Sequence, residues 1–191
     1  MTTTRIITGI DLETTGLKQT EGHRIVEIAA IMYDADCGKK VGQFVKRIDP
    51  QRPIDPAAQR VHGIGYEDVA GLPEFEHYAP SIVKILQNSS VVVAHNGESF
   101  DIPFLGNELE RVGYEVPVIH YVDTMIDARW ATPLGKYPTL GELCFACDVL
   151  YEPDKAHAAE YDVEVMMQCY FMAHNKGFFN KEKIFPPVSC G

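Results

Sequence analysis

The sequence predicts an α/β layered domain, with a mixed five-stranded sheet flanked by helices. Three observations predict it: three strand-like segments come first with no helix between them, single strands then alternate with segments of helical period, and two helical segments close the chain. The order is βββ-α-β-α-β-α-α. With 191 residues, 46% of them hydrophobic and 23% charged, the chain has single-domain size and enough apolar side chain for a full core.

The segment from Arg5 to Asp11 reads as a short apolar strand that ends on an acidic cluster. His23 to Tyr33 is apolar almost without a break, as a strand covered on both faces would be. Asp36 to Lys39 supplies turn chemistry, and Val41 to Ile48 alternates as a third strand, completing an antiparallel meander. Asp49 to Pro73 is rich in Pro and Gly, with a short helical piece around Pro56–Val61. Ala79, Ile82, Val83 and Leu86 give residues 75–87 a helical spacing. Val91 to Ala94 is a β-branched strand, residues 102–112 form a helix that stops at Gly113, and Val118 to Val122 forms a fifth strand. Thr139 to Cys147 and Ala158 to His174 close the chain as helices. Residues 1–175 are therefore expected to form the domain, and 176–191 a loosely attached tail.

Composition narrows the setting. No apolar run approaches the roughly 18 residues needed to span a bilayer, so no membrane partner is expected. The start, from Met1 to Arg5, lacks a charged region followed by an apolar stretch, so no secretory signal is expected there. The five cysteines, Cys37, Cys144, Cys147, Cys169 and Cys190, are odd in number and scattered, which favours reduced thiols and a cytoplasmic protein. A formal net charge of −10 argues against holding nucleic acid by bulk electrostatics. Carboxylates gathered at a site that binds divalent cations would invert that local field, so charge alone decides nothing.

Three acidic signals stand apart in the chain. Asp11 and Glu13 lie at i and i+2 on the first strand, so both point to one face and can converge on one cation, although a solvated strand end explains the pair better in isolation. All-oxygen ligands suit hard ions such as Mg²⁺ or Mn²⁺. The following Thr14-Thr15-Gly16 can form a tight turn with hydroxyls and N–H groups beside the acids. Asp101 stands where a cap would precede the next helix, and capping explains it equally well in isolation. His157 and Asp162 open the last helix five positions apart, so they share a face only if His157 belongs to the preceding loop; alone, the pair reads as a cap and a surface charge.

Together these residues resemble the DnaQ-like, DEDDh superfamily of 3′–5′ exonucleases, which has a ribonuclease H-like fold. That superfamily includes the proofreading subunit of bacterial replicative polymerases, the three-prime repair exonucleases, ribonuclease T and oligoribonuclease. Asp11 and Glu13 fit its first motif, Asp101 its second, and His157 with Asp162 its third; the likeness covers residues 5–175. The five-position step from Asn96 to Asp101, with Phe100-Asp101 and Pro103, is closer to the three-prime repair exonucleases than to the proofreading subunit.

The resemblance implies a two-metal phosphodiester hydrolase using two Mg²⁺ or Mn²⁺ ions. Asp11 would bridge the ions, Glu13 and Asp162 would complete direct ligation, Asp101 would hold the second ion through water, and His157 would be the general base. By the same likeness Leu12, Thr14, His62 and Phe100 would line the pocket of the terminal nucleotide; for His62, a packed loop histidine is an equal alternative. The implied substrate is a DNA 3′ end, single-stranded or frayed, in repair or proofreading with a DNA polymerase as candidate partner. RNA trimming of the ribonuclease T or oligoribonuclease kind is the alternative, and a non-catalytic binding or polymerase-accessory module a second.

Other features are expected to be structural. Cys144 and Cys147 have C-x-x-C spacing without a second pair or paired histidines, which favours buried thiols over zinc. Asp123-Thr124 is read as a cap, Glu108, Glu110 and Glu115 as a solvated face, and Trp130 with Phe178 and Phe179 as packing. His23, His77, His95, His120 and His174 carry no constellation of their own.

Overall fold

The computed structural model describes residues 5–186. The reading of the start at Met1–Thr4, the end of the tail and Cys190 lie outside the described residues.

The first strand, β1 (Ile6–Thr14), pairs antiparallel with β2 (Ile25–Asp34), which pairs antiparallel with β3 (Lys40–Arg47). The chain then passes through two short helices, α1 (Pro56–His62) and α2 (Tyr66–Val69), the second not anticipated, into α3 (Phe75–Asn88). Strand β4 (Val91–Ala94) returns to lie parallel beside β1. Helix α4 (Asp101–Arg111) leads to β5 (Ile119–Asp123), parallel to β4. A 3₁₀ turn at Ile126–Ala131 precedes α5 (Leu140–Ala146) and α6 (Ala159–His174).

A sixth strand, β6 (Lys183–Phe185), closes the sheet antiparallel to β5, giving the order β3-β2-β1-β4-β5-β6. The expected five strands and loose tail need correcting: after α6, Phe178 stacks on Trp130 at 4.3 Å between centroids and Phe179 is buried, so aromatic packing carries the chain back to the sheet edge.

Alternation along the strands builds two cores. Val91 and Val93 face the layer of α5 and α6, with Val163, Met166 and Tyr170; Val92 and Ala94 face α3 and α4, with Ala79, Ile82, Ile102 and Leu105. Double coverage is why β4 reads as an unbroken apolar run and β2 as a nearly unbroken one. On β1 the same alternation puts Ile10 and Leu12 in the α3/α4 core. Ile7, Gly9, Asp11 and Glu13 thereby turn to the α6 side. A Cβ on Gly9 would stand 2.7 Å from both Val163 Cγ1 and Met167 Cγ, so helix α6 lies directly on the β1 backbone there.

Two side-chain readings resolve here. Glu108 is no solvated residue: it is 3% exposed and held by Arg24 at 3.4 Å and by Nε and Nη2 of Arg111, each at 2.9 Å. Helical position cannot reveal this, because Arg24 arrives from β2's entry loop. Cys144 and Cys147 are buried free thiols, and Cys169 of α6 joins them, its Sγ 3.6 Å from that of Cys144. No helix among the described residues is long and apolar enough to cross a membrane.

Candidate active site

The four acids meet at one end of the sheet because the strands end out of step. The parallel pairing of β1 with β4 stops at Gly9 and Val93, while β1 runs on to Thr14. The overhanging edge leaves the Leu12 N–H without a strand partner, and Asp101 Oδ1 accepts it at 3.0 Å. Asp101 is 2% exposed and is the first residue of α4; its carboxylate ties the helix to β1 rather than capping its own turn.

Asp123 fixes the loop that delivers Asp101. Fully buried at the end of β5, it accepts N–H bonds from Asn96 (3.1 Å), Glu98 (2.9 Å), Met125 (2.9 Å) and Ile126 (3.1 Å). Thr124 Oγ1 lies 3.0 Å from His95 Nδ1. The pair is thus structural, as its sequence position suggests.

From the other layer, α6 brings Asp162. Its Oδ2 accepts the backbone N–H of His157 at 2.9 Å, a cap-like bond across the helix start, while its buried Oδ1 has no hydrogen-bond partner. His157 lies in the loop ahead of α6 with φ +63° and an exposed side chain. Such a conformation is uncommon outside glycine, and the bond to Asp162 is what holds it. The five positions between the two residues are reconciled, since only Asp162 is helical.

Burial raises the proton affinity of all four acids, and at Asp11 and Glu13 the neighbouring carboxylates add to it. Burial, then the charges of Asp101, Glu13 and Asp162, holds the Asp11 carboxyl well above the usual carboxylate range. Burial, then Asp162, Glu27 and Asp101, pushes Glu13 to about 8. Asp101 is pushed to about 7 by burial, against the bonds from its own and Leu12's backbone N–H. Asp162 is raised by burial, against the bond from the His157 backbone. A site that resists its own negative charge this strongly is built to receive positive charge. Among the described residues, no three His, Cys, Asp or Glu side chains form a ready-made metal cage. The convergence is one of backbone placement and electrostatics.

Beside the acids opens a cleft of about 460 Å³, lined by Glu13, Thr14, Leu17, Val61, His62 and Phe100 among others. Three of the four expected pocket residues line it. Leu12 does not: its side chain is 3% exposed in the α3/α4 core, as strand alternation beside Asp11 and Glu13 requires. Leu17, not singled out from sequence, stands 79% exposed at the cleft. His62 Nδ1 accepts the Ile64 N–H at 3.0 Å and Nε2 donates to the Thr14 carbonyl at 3.2 Å, the bonding of a neutral ring. Burial lowers its pKa accordingly. His23 also proves placed: its ring fills the space a Cβ on Gly16 would need, and Nδ1 meets Thr15 Oγ1 at 3.0 Å. The turn after Glu13 is thereby packed rigidly.

Residues 8–170 match the family model described as Exonuclease (RNase_T). The chain belongs to this exonuclease family. DNA polymerase III subunit epsilon of Buchnera aphidicola (strain APS) is 32% identical over 170 residues, covering 85% of this chain and 70% of that protein. The subunit epsilon of Haemophilus influenzae is 31% identical over 172 residues, covering 85% and 65%. The exonuclease thus spans about two thirds of these relatives' length. Exonuclease X in complex with 5′ overhanging duplex DNA aligns at 30% identity with a TM-score of 0.65, covering 90% of this chain and 93% of that one. The nuclease domain of 3′hExo, a DEDDh family member bound to rAMP, aligns with a TM-score of 0.77 over 95% of this chain and 98% of that one. At 12% identity the second likeness is one of fold, the ribonuclease H-like arrangement.

Proposed function

We propose that this exonuclease removes nucleotides singly from the 3′ end of DNA, single-stranded or frayed, in proofreading or repair, with two divalent cations held by Asp11, Glu13, Asp101 and Asp162. The observation that carries the reading is the gathering of these acids, from β1, α4 and α6, where each carboxyl is pushed above its ordinary pKa.

The residues fit hard cations on two counts. The donor set is oxygen throughout, as Mg²⁺ and Mn²⁺ prefer. Asp162 Oδ1, buried without a partner, is an acceptor that a cation would satisfy. Asp11, Glu13 and Asp162 would ligate directly, with Asp101 completing the set; side-chain rotation on a fixed backbone would close it. Bound there, such ions supply an activated water and relieve charge on the leaving 3′ oxygen.

The chain's own groups do the rest. The exposed His157 imidazole, hinged at a backbone held by Asp162, accepts the proton that the attacking water loses, a task that suits imidazole as a side chain able to take up and release protons near neutral pH. Thr14, Leu17, His62 and Phe100 receive the terminal nucleoside in the cleft. Leu17 and Phe100 offer apolar surface to the base, while the neutral His62 adds no positive charge that would retain the product phosphate. The likeness to polymerase III epsilon subunits supports a DNA polymerase as partner.

The test compares 5′-labelled DNA and RNA oligonucleotides of one sequence, with Mg²⁺ and with EDTA. DNA shortened stepwise from the 3′ end, with release of nucleoside 5′-monophosphates, is expected. RNA shortened as fast or faster would move the reading to RNA trimming, and binding without product would make the fold an accessory module.

A further inference from the structure

An additional acid faces the site, and a basic residue stands behind it. Glu27 of β2 lies directly across from Glu13 in the β1–β2 register, so both side chains share the α6 side of the sheet. Arg47 of β3 lies directly across from Glu27 in the next ladder, and its Nε donates to Glu27 Oε1 at 3.0 Å. Three strands thus line up two carboxylates and one guanidinium in a row that starts at the proposed metal site. The Glu27 side chain is 13% exposed and that of Arg47 46%, so the row runs from the cleft to solvent.

Like charges directly opposite on neighbouring strands are destabilising, yet here the pair sits in the middle of a sheet. Arg47 compensates only the outer acid, because Glu27 stands between it and Glu13. The charge of Glu27 reaches Asp11 and Glu13, and that of Arg47 reaches His62.

We propose that Glu27 is a positioning carboxylate for the cation site: it adds negative field behind Glu13 that divalent cations relieve, and Arg47 sets how much of that field the site feels. The proposal rests on the reading of Asp11, Glu13, Asp101 and Asp162 as cation ligands. Glu27 then acts through Glu13 and touches neither the attacking water nor the substrate. Removing the Glu27 charge weakens cation binding. Removing the Arg47 charge exposes the site to all of it and strengthens binding. A purely structural ion pair predicts something else, since losing either partner would loosen the strands and weaken binding both times.

The experiment is Mn²⁺ titration of the DNA-free protein by calorimetry or electron paramagnetic resonance, on the wild type, Glu27→Gln and Arg47→Gln. Glu27→Gln is expected to bind about three- to tenfold more weakly and Arg47→Gln about two- to fivefold more tightly, the scale of one partly screened charge. Wild-type affinity in Glu27→Gln, or weaker binding in both variants, overturns the proposal while leaving the cation site in place. No Mn²⁺ binding by the wild type overturns the cation site itself. Arg47 is half exposed, so its variant is expected to fold, as a matching circular dichroism melt would show, and the direction of its change in affinity decides between the two explanations.

Discussion

Replacing Glu13 with Gln should stabilise the metal-free protein while destroying its activity. Glu13 moves from an ordinary 4.5 when unfolded to about 8 when folded. A carboxyl with a raised folded pKa costs nothing below the unfolded value; its cost grows as pH rises and levels off above the folded value. At 1.36 kcal/mol per pH unit, the 2.5-unit interval between 4.5 and pH 7 sets an upper limit of about 3 kcal/mol at neutral pH. The corresponding limit at pH 5 is below ~1 kcal/mol. Gln keeps the shape and pays no proton uptake. Relaxation of the coupled acids halves such limits, leaving about 1–2 kcal/mol, or a rise in Tm of about 2–8 °C for a domain this size. Melting would be followed by circular dichroism in EDTA at pH 5, 6, 7 and 8. The gain should grow with pH, and Mg²⁺ should raise the wild-type Tm more than the variant's. A variant that melts below the wild type at pH 7, or a gain independent of pH, would refute the electrostatic account.

His157→Ala should lower kcat by about 10²–10⁴-fold while Mn²⁺ affinity stays near wild type, because the link to Asp162 is through the His157 backbone; near-normal turnover would remove His157 from the chemistry. Gly9→Ala inserts a methyl 2.7 Å from Val163 Cγ1 and Met167 Cγ. Such overpacking should cost about 1–3 kcal/mol in urea unfolding and shift Asp162 enough to depress activity. Leu17→Ala should leave stability within about 0.5 kcal/mol, since the side chain is 79% exposed, yet raise KM for DNA several-fold in steady-state assays.

The residues that proved hardest to read from sequence share a physical cause. Asp11 and Glu13 were legible because a strand's period of two fixes their common face without knowledge of any neighbour. The same rule places the Leu12 side chain in the opposite core, where family likeness alone had put it in the pocket. Glu27 hides inside an apolar strand, and only the register with Glu13 and Arg47 gives it meaning. Glu108 becomes a buried ion-pair partner through Arg24, distant in the chain. Strand β6, three residues long, is too short to show alternation and is recruited by the open edge of β5 and the Trp130–Phe178 stack. Local signals specified elements and the acids they carry; contacts between elements specified everything that depends on a partner.

The central claim is that Asp11, Glu13, Asp101 and Asp162 surround bound cations. Anomalous diffraction from crystals soaked in Mn²⁺ with a nucleoside 5′-monophosphate tests it most directly. Two peaks roughly 3.5–4 Å apart, among these four carboxylates and touching Asp162 Oδ1, are predicted. Manganese bound elsewhere, with these carboxylates untouched, would contradict it.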